Sequence, residues 1–246
     1  MSGPAGAATS ALTSDNLSTA GRILGILRRP RSTFEAAVSA PRWAGLLLLL
    51  FVVYFGVSAG LFSTEVGQRA LVDQWENTAI AFGQPVDDAR YAEWQAQSER
   101  AAPYAALMAL ATGPAAALLL AAVLFGWFTL VRGGKASFAQ VLTVVACASV
   151  VLMLRYLVAA PLLYTRESLA SPTTLGLVFR GMDQGSPAAR FVALIDVFVI
   201  WWLVVLSIGM SVLYRLRTRN LLLQFLAVYV GIALVLTATM AVLSDV

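Results

Sequence analysis

Histidine is absent from this chain of 246 residues, and cysteine and lysine each occur once, as Cys147 and Lys135. Without histidine, the Ser-His and Cys-His pairs of nucleophilic catalysis and the commonest zinc sites are excluded. A single cysteine cannot form a disulfide within the chain. No nucleophile motif appears, and no acids face each other within the apolar runs. The sequence therefore predicts a protein that is not an enzyme and that uses no cofactor or metal.

Charge is also scarce. Only 12% of the residues are charged whereas 59% are hydrophobic, and the mean hydropathy is +0.79. A soluble domain carries roughly twice that share of charge. The net charge of +4 comes from arginines that flank apolar runs and not from a basic domain face, which argues against nucleic-acid binding. This composition predicts an integral membrane protein.

Five apolar runs are long enough to cross a bilayer as helices, which requires about 20 apolar residues. The predicted spans are residues 43–62, 104–131, 141–164, 191–214 and 221–243. They predict an all-α, polytopic membrane domain over 43–246. The external loops are 63–103, expected to fold as a helical hairpin, and 165–190, expected to hold a short helix over Pro172–Phe179.

The residues before the first span divide into two parts. Residues 1–15 are expected to be disordered. Residues 1–20 are small and polar and lack an apolar core, so we expect the first span to remain as an uncleaved anchor. Residues 16–42 predict a cytoplasmic amphipathic segment. A break at Pro30 and a capping box that begins at Ser32 predict its second helix, Thr33–Ser39. Two placements remain open: the segment lies on the membrane surface, or it packs on the cytoplasmic ends of the spans.

The basic residues are distributed unevenly among the loops. Ten lie in the short segments assigned to one side and six in the longer loops assigned to the other. By the positive-inside rule, the N-terminus is cytoplasmic and the C-terminus external, in the inner (plasma) membrane. The same basic residues are expected to contact anionic headgroups. The orienting residues on the cytoplasmic side are Arg28, Arg29, Arg31, Arg42, Arg132, Lys135, Arg215, Arg217 and Arg219.

A stripe of small residues runs along the second predicted span. Its members recur at every fourth position: Ala105, Ala109, Gly113, Ala117 and Ala121. Small residues at this spacing allow another helix to approach closely. We therefore expect the stripe and the amphipathic segment to be contact surfaces, for a protein partner or for a second copy of the chain.

Two opposite charges interrupt the apolar runs. Arg155 lies in the third predicted span and Asp196 in the fourth. Each unpaired charge within a bilayer costs about 2.5–3.5 kcal/mol, and the two lie roughly one helical turn apart in depth, so mutual pairing is expected. The pair either fixes the register of two spans or belongs to a proton, ion or substrate pathway. If it is structural, exchanging the two charges is expected to restore what either single substitution loses.

Three stretches resemble the bacterial branch of the Yip family, the relatives of the Ypt/Rab GTPase-interacting membrane proteins. They are LRRPRSTFEAAVSAPRW (27–43), GGKASFAQVLTVVACAS (133–149) and LIDVFVIWWLVVLSIGMSVLYRL (194–216). The resemblance implies five spans, a cytoplasmic N-terminus and an external C-terminus. Eukaryotic relatives are linked to vesicle traffic, membrane shaping and Rab binding. The DLYGP-like and GYG motifs of that branch are missing here, so Rab binding is not carried over.

The sequence thus favours a non-enzymatic module for membrane organisation or protein partnership. The alternative is a small transporter or permease component that uses Arg155 and Asp196 in its pathway.

Overall fold

The computed structural model describes residues 19–81, 83–166, 172–177 and 186–244, and the predicted tail 1–15 lies outside them. The helices are α1 (Thr19–Arg28), α2 (Pro30–Ser39), α3 (Ala44–Phe62), α4 (Glu65–Ala81), α5 (Asp88–Phe125), α6 (Phe138–Ala148), α7 (Val150–Arg166), α8 (Pro187–Leu194), α9 (Val197–Tyr214) and α10 (Thr218–Ser244). The described ranges contain no β-strand. Five helical stretches are long and apolar enough to cross a membrane, which confirms the predicted all-α, five-span fold.

The third of these stretches, α6 with α7, is the centre of the fold. Every residue from 141 to 151 is buried. In its most apolar window, 67% of the residues are buried, against 39% in α9 and 17% in α10. The two helices meet at Ser149, whose hydroxyl and backbone N–H both donate to the carbonyl of Val145. Continuous burial on all sides requires side chains that are apolar all round the helix, as this stretch has.

The outer spans present apolar side chains away from the bundle. Leu48 on α3 is 63% exposed, Leu119 on α5 is 68% exposed and Val235 on α10 is 65% exposed. In water such a surface would be an aggregation hazard, whereas in a bilayer it contacts acyl chains.

The apolar face of the N-terminal helices packs into the core. Ile26 of α1 is 1% exposed and Phe34 of α2 is 0% exposed. A Cβ on Gly209 of α9 would lie 2.8 Å from Phe34 Cε1 and 2.6 Å from Val144 Cγ1, so the absence of a side chain there makes room for the ring. The side-chain amide of Gln140 donates to the carbonyl of Val38. Of the two placements left open by the sequence, the structure has these helices packed on the ends of the spans.

The predicted capping box at Ser32 is wrong. Helix α2 begins at Pro30, with Arg29 as an N-cap that makes no side-chain capping bond. Proline suits the first turn because its missing N–H would have no helical partner there. The Ser32 hydroxyl instead donates to the carbonyl of Arg29, and Glu35 pairs with Arg31 at 3.5 Å.

Helix α4 and the first turns of α5 form the predicted helical hairpin. Trp75 and Trp94 meet edge to face with centroids 6.3 Å apart, and Tyr91 Oη donates to Asp73 Oδ1 at 2.7 Å. Helix α5 is continuous from the hairpin through Pro103 into the second span, so that span has no separate beginning at residue 104. A π-helical stretch, Gly126–Val131, completes it.

A capping box at the start of α6 is expected to make a modest contribution to stability. Ser137 accepts the N–H of Gln140, whose side chain accepts the N–H of Ser137, which makes a capping box. Replacing Ser137 with alanine is expected to lower the free energy of unfolding by about 1 kcal/mol. Ser39→Ala, on the exposed end of α2, is the matched control and is expected to change it by less than about 0.5 kcal/mol. Unfolding in mixed detergent micelles measures both.

Candidate functional site

The fourth predicted span does not begin at residue 191, because the helix is interrupted before Asp196. Helix α8 ends at Leu194, Ile195 and Asp196 are extended, and α9 begins at Val197. Asp196 is the N-cap of α9, and its Oδ1 accepts the backbone N–H of Phe198 at 2.8 Å. The carboxylate therefore satisfies the unpaired N–H groups of a helix terminus instead of interrupting an apolar helix.

The second oxygen of Asp196 binds two side chains. Arg155 Nε donates to Oδ2 at 2.8 Å, and Thr173 Oγ1 donates to the same oxygen at 2.6 Å. The side chain of Asp196 is 4% exposed and that of Arg155 is 27% exposed. The structure thus brings together the two charges that the sequence singled out.

Two polar residues that sequence reasoning missed complete this cluster. Residues 172–177 pair with the α8–α9 break, since Leu175 N–H donates to Ile195 O at 2.8 Å and Val197 N–H donates to Thr173 O at 3.2 Å. This pairing carries the Thr173 hydroxyl to the carboxylate. From α10, Tyr229 Oη accepts the N–H of Asp196 at 3.0 Å and donates to the carbonyl of Leu194 at 2.8 Å. The predicted helix Pro172–Phe179 is a turn and a 3₁₀ segment, Leu175–Leu177, as far as the chain is described.

The cluster joins α7, the 172–177 segment and the N-terminus of α9 through the carboxylate of Asp196, and it joins α10 through the backbone N–H of Asp196 and the carbonyl of Leu194. A charge-assisted hydrogen bond in a place of low dielectric is stronger than its counterpart in water. The N-terminus of α9 adds a favourable field for the negative charge. Chemically, this arrangement fixes the relative positions of three spans.

A cavity of about 270 Å³ lies next to this cluster, between α3 and α7 at the end of the bundle that carries the α4–α5 hairpin. We call this end the hairpin end. Arg155 and Tyr156 line the cavity from α7, and Ser58 lines it from α3. Tyr156 stacks on Tyr54 with the ring centroids 4.3 Å apart.

The small-residue stripe faces partners within the same chain. A Cβ on Gly113 would lie 3.4 Å from the ring of Tyr54 on α3. Ala117 is 6% exposed and Ala121 is 0% exposed, and both belong to the core. Ala105 is half-buried, and the side chain of Ala109 lies outside the described residues. At Gly113, the helix that approaches this stripe is therefore α3.

The nine predicted orienting residues are all exposed and lie in three segments. These segments are the N-terminal helices with the residues up to Arg42 (19–42), the connection between the second and third spans (132–140), and the connection from α9 to α10 (215–220). They meet at one end of the bundle. A Cβ on Gly134 would lie 2.6 Å from Tyr214 Cε1, and the side-chain amide of Gln140 donates to the carbonyl of Val38 on α2 at 3.3 Å. We call this the basic end. Across residues 19–42, 132–140 and 215–220 the only acid is Glu35.

Comparison with known proteins gives one match, to a family model. The Yip1 domain matches residues 24–240, which is nearly the whole chain. No curated protein and no solved structure matches. With five helices able to cross a membrane and this match, the resemblance noted in the sequence is confirmed, and the chain belongs to the Yip1 domain family of multi-pass membrane proteins.

Proposed function

We propose that this protein is a non-enzymatic module of membrane organisation, which holds anionic lipid headgroups, and through them protein partners, at its basic end. In this proposal the basic end faces the cytoplasm, the C-terminus is external, and the membrane is the plasma membrane.

The observation that carries the proposal is the separation of charge along the bundle. Nine exposed basic residues lie at the basic end, where Glu35 is the only acid in the three segments. At the other end, residues 63–103 contain seven acids. Each Lys or Arg near an anionic leaflet contributes about 1 kcal/mol of attraction. Several such groups on a rigid surface are enough to enrich anionic lipids around the protein.

The packing of the N-terminal helices favours a rigid surface that does not insert into the bilayer. Because Ile26 and Phe34 are buried in the core, the apolar face of α1 and α2 packs against the rest of the chain and is not available to lipid. What they present outward is Arg28, Arg29 and Arg31, all exposed. A partner would therefore meet charge at this surface, with Leu24, 48% exposed, as a large apolar side chain on α1.

The Asp196 cluster supports a structural role for the intramembrane charges. The carboxylate accepts from two backbone N–H groups, from Arg155 and from Thr173, and it is 4% exposed. A relay or ion ligand must exchange partners during transport, and each partner lost from a buried carboxylate carries a penalty of about 1–3 kcal/mol. The transport alternative would have to break this cluster in each cycle.

Lowering the positive charge of the basic end is expected to weaken its retention of anionic lipid. The variant Arg28→Gln/Arg29→Gln/Arg217→Gln removes three exposed charges, and we expect at least a tenfold loss in retained phosphatidylglycerol relative to phosphatidylcholine. The measurement is native mass spectrometry of the full chain extracted from vesicles that contain both lipids.

The matched control lies at the hairpin end, where Arg69→Gln/Arg90→Gln/Arg100→Gln removes the same charge. This control is expected to retain the lipid preference within about twofold. Equal loss in both variants, or no loss in the first, would contradict the proposal. Specific solute movement through vesicles that contain the native protein would favour the transport alternative instead.

A further inference from the structure

The cavity at the hairpin end has a polar side and an apolar side. Its polar groups are Ser58, Gln74, Arg155 and Tyr156, and its apolar walls include Leu61 and Phe62. None of the described residues that line it is acidic. Asp196, the anionic partner of Arg155, does not line the cavity and is 4% exposed. A ligand in this cavity would therefore contact the side chain of Arg155 but not the carboxylate of Asp196.

Arg155 is suited to bind an oxygen anion there. Its Nε edge is held by Asp196 at 2.8 Å and lies 3.2 Å from Thr173 Oγ1, which restricts the orientation of the planar guanidinium. An arginine already fixed by one partner loses less conformational entropy when it binds a second group. The stacking of Tyr156 on Tyr54 fixes a second polar group of the lining.

The size of the cavity limits what it can hold. A volume of about 270 Å³ corresponds to roughly nine water molecules at about 30 Å³ each. That is enough for a phosphate group with a glycerol-sized substituent, but not for acyl chains. The apolar walls from the last turns of α3 favour a substituent that is partly apolar over a bare inorganic ion.

We propose that this cavity binds the phosphate group of a phosphate monoester or diester, with Arg155 as the anion-binding residue and Gln74, Ser58 and Tyr156 as additional hydrogen-bonding groups. Two sources share this chemistry: the headgroup of a phospholipid, and a small soluble phosphate ester. This site is separate from the basic end. It binds through one guanidinium in a cavity, whereas the basic end presents nine exposed basic residues.

The test uses the full chain in an uncharged detergent and in the Arg28→Gln/Arg29→Gln/Arg217→Gln background, so that lipid bound at the basic end contributes far less to the signal. The probes are dioctanoyl phosphatidylglycerol, glycerol 3-phosphate and, as the probe without phosphate, dioctanoylglycerol. Native mass spectrometry measures the lipids and titration calorimetry measures the soluble ester. We expect one phosphate-bearing probe to bind with a stoichiometry of one, and dioctanoylglycerol to bind at least tenfold more weakly.

Two variants alter the cavity while leaving Arg155 and Asp196 themselves unsubstituted. Ala159→Leu, on a lining residue of α7, fills the cavity and is expected to weaken binding at least tenfold. Gln74→Leu removes a polar lining group from an exposed position of α4 and is expected to weaken binding about threefold. If Ala159→Leu does not fold, Gln74→Leu alone tests whether the cavity is the binding site. Gln95→Leu, at an exposed position of α5, is the control and should bind as the native chain does.

Binding of phosphatidylglycerol alone identifies a lipid headgroup, and binding of glycerol 3-phosphate identifies a soluble ester; either result supports the site. The proposal is overturned if neither phosphate probe binds, if dioctanoylglycerol binds equally well, or if the folded cavity variants bind as tightly as the native chain.

Discussion

Replacing Asp196 with alanine is expected to lower the free energy of unfolding by about 3 kcal/mol. Removing one partner of a buried pair typically costs about 3–5 kcal/mol, and loss of an N-cap adds about 1 kcal/mol. We take the lower end of this range because Arg155 is 27% exposed and retains some solvation. Thr173 and the N–H groups of Phe198 and Val199 lose their acceptor at the same time.

The asparagine variant separates the two contributions. Asp196→Asn retains an oxygen that can cap α9 but removes the negative charge, so we expect a loss of about 2 kcal/mol. Unfolding of the full chain in mixed micelles or by steric trapping in bicelles measures both variants. Equal losses in the alanine and asparagine variants would show that the capping bonds to Phe198 and Val199 contribute little.

The structure also changes the expected outcome of exchanging the charges. From the sequence, Arg155→Asp/Asp196→Arg is expected to restore a structural pair. The arginine side chain, however, has no hydrogen-bond acceptor. An arginine at position 196 therefore cannot accept hydrogen bonds from the N–H groups of Phe198 and Val199. We therefore expect the exchanged protein to remain about as unstable as Asp196→Ala.

Replacing Phe34 with alanine is expected to destabilise the protein by about 3–5 kcal/mol and to release α1 and α2 from the bundle. Phe34 is 0% exposed, and its ring occupies the space left open by Gly209. The loss combines the transfer of a large aromatic side chain out of the core with the cavity that remains. Proteolysis between residues 19 and 42, together with the unfolding free energy, measures the effect.

Leu24→Ala is the matched control on the same pair of helices. Leu24 is 48% exposed, and its truncation is expected to change stability by less than about 1 kcal/mol. If these helices lay on the membrane surface, both residues would contact lipid and the two variants would behave alike. Similar small effects from both would therefore contradict the packed arrangement.

The sequence predicted the charged pair because charges are rare in apolar runs and costly there. It did not predict how Asp196 is used. Apolar residues flank the acid on both sides, so the hydropathy pattern continues through the break between α8 and α9. Ser186 and Pro187 form a typical helix start, but the helix that they begin is the short α8 and not the span itself.

Other contacts gave no signal that sequence reasoning could detect. Thr173 reaches Asp196 only because residues 172–177 pair with the α8–α9 break. Tyr229 is one of several polar residues in the apolar run 221–243, and nothing in the pattern distinguishes it from the others. Gly209 permits the packing of Phe34, but the sequence does not show that two helices so far apart in the chain meet at that glycine.

We propose that Arg155 and Asp196 act as a structural ion pair that fixes the relative positions of the spans. A double-mutant cycle with Arg155→Met and Asp196→Asn, measured as the free energy of unfolding in bicelles, tests it most directly. We predict a coupling energy of about 2 kcal/mol, because the double variant no longer leaves a charge without its partner. A coupling energy near zero, in variants that fold normally but have lost movement of a solute across vesicles, would contradict the claim and assign the pair to a pathway.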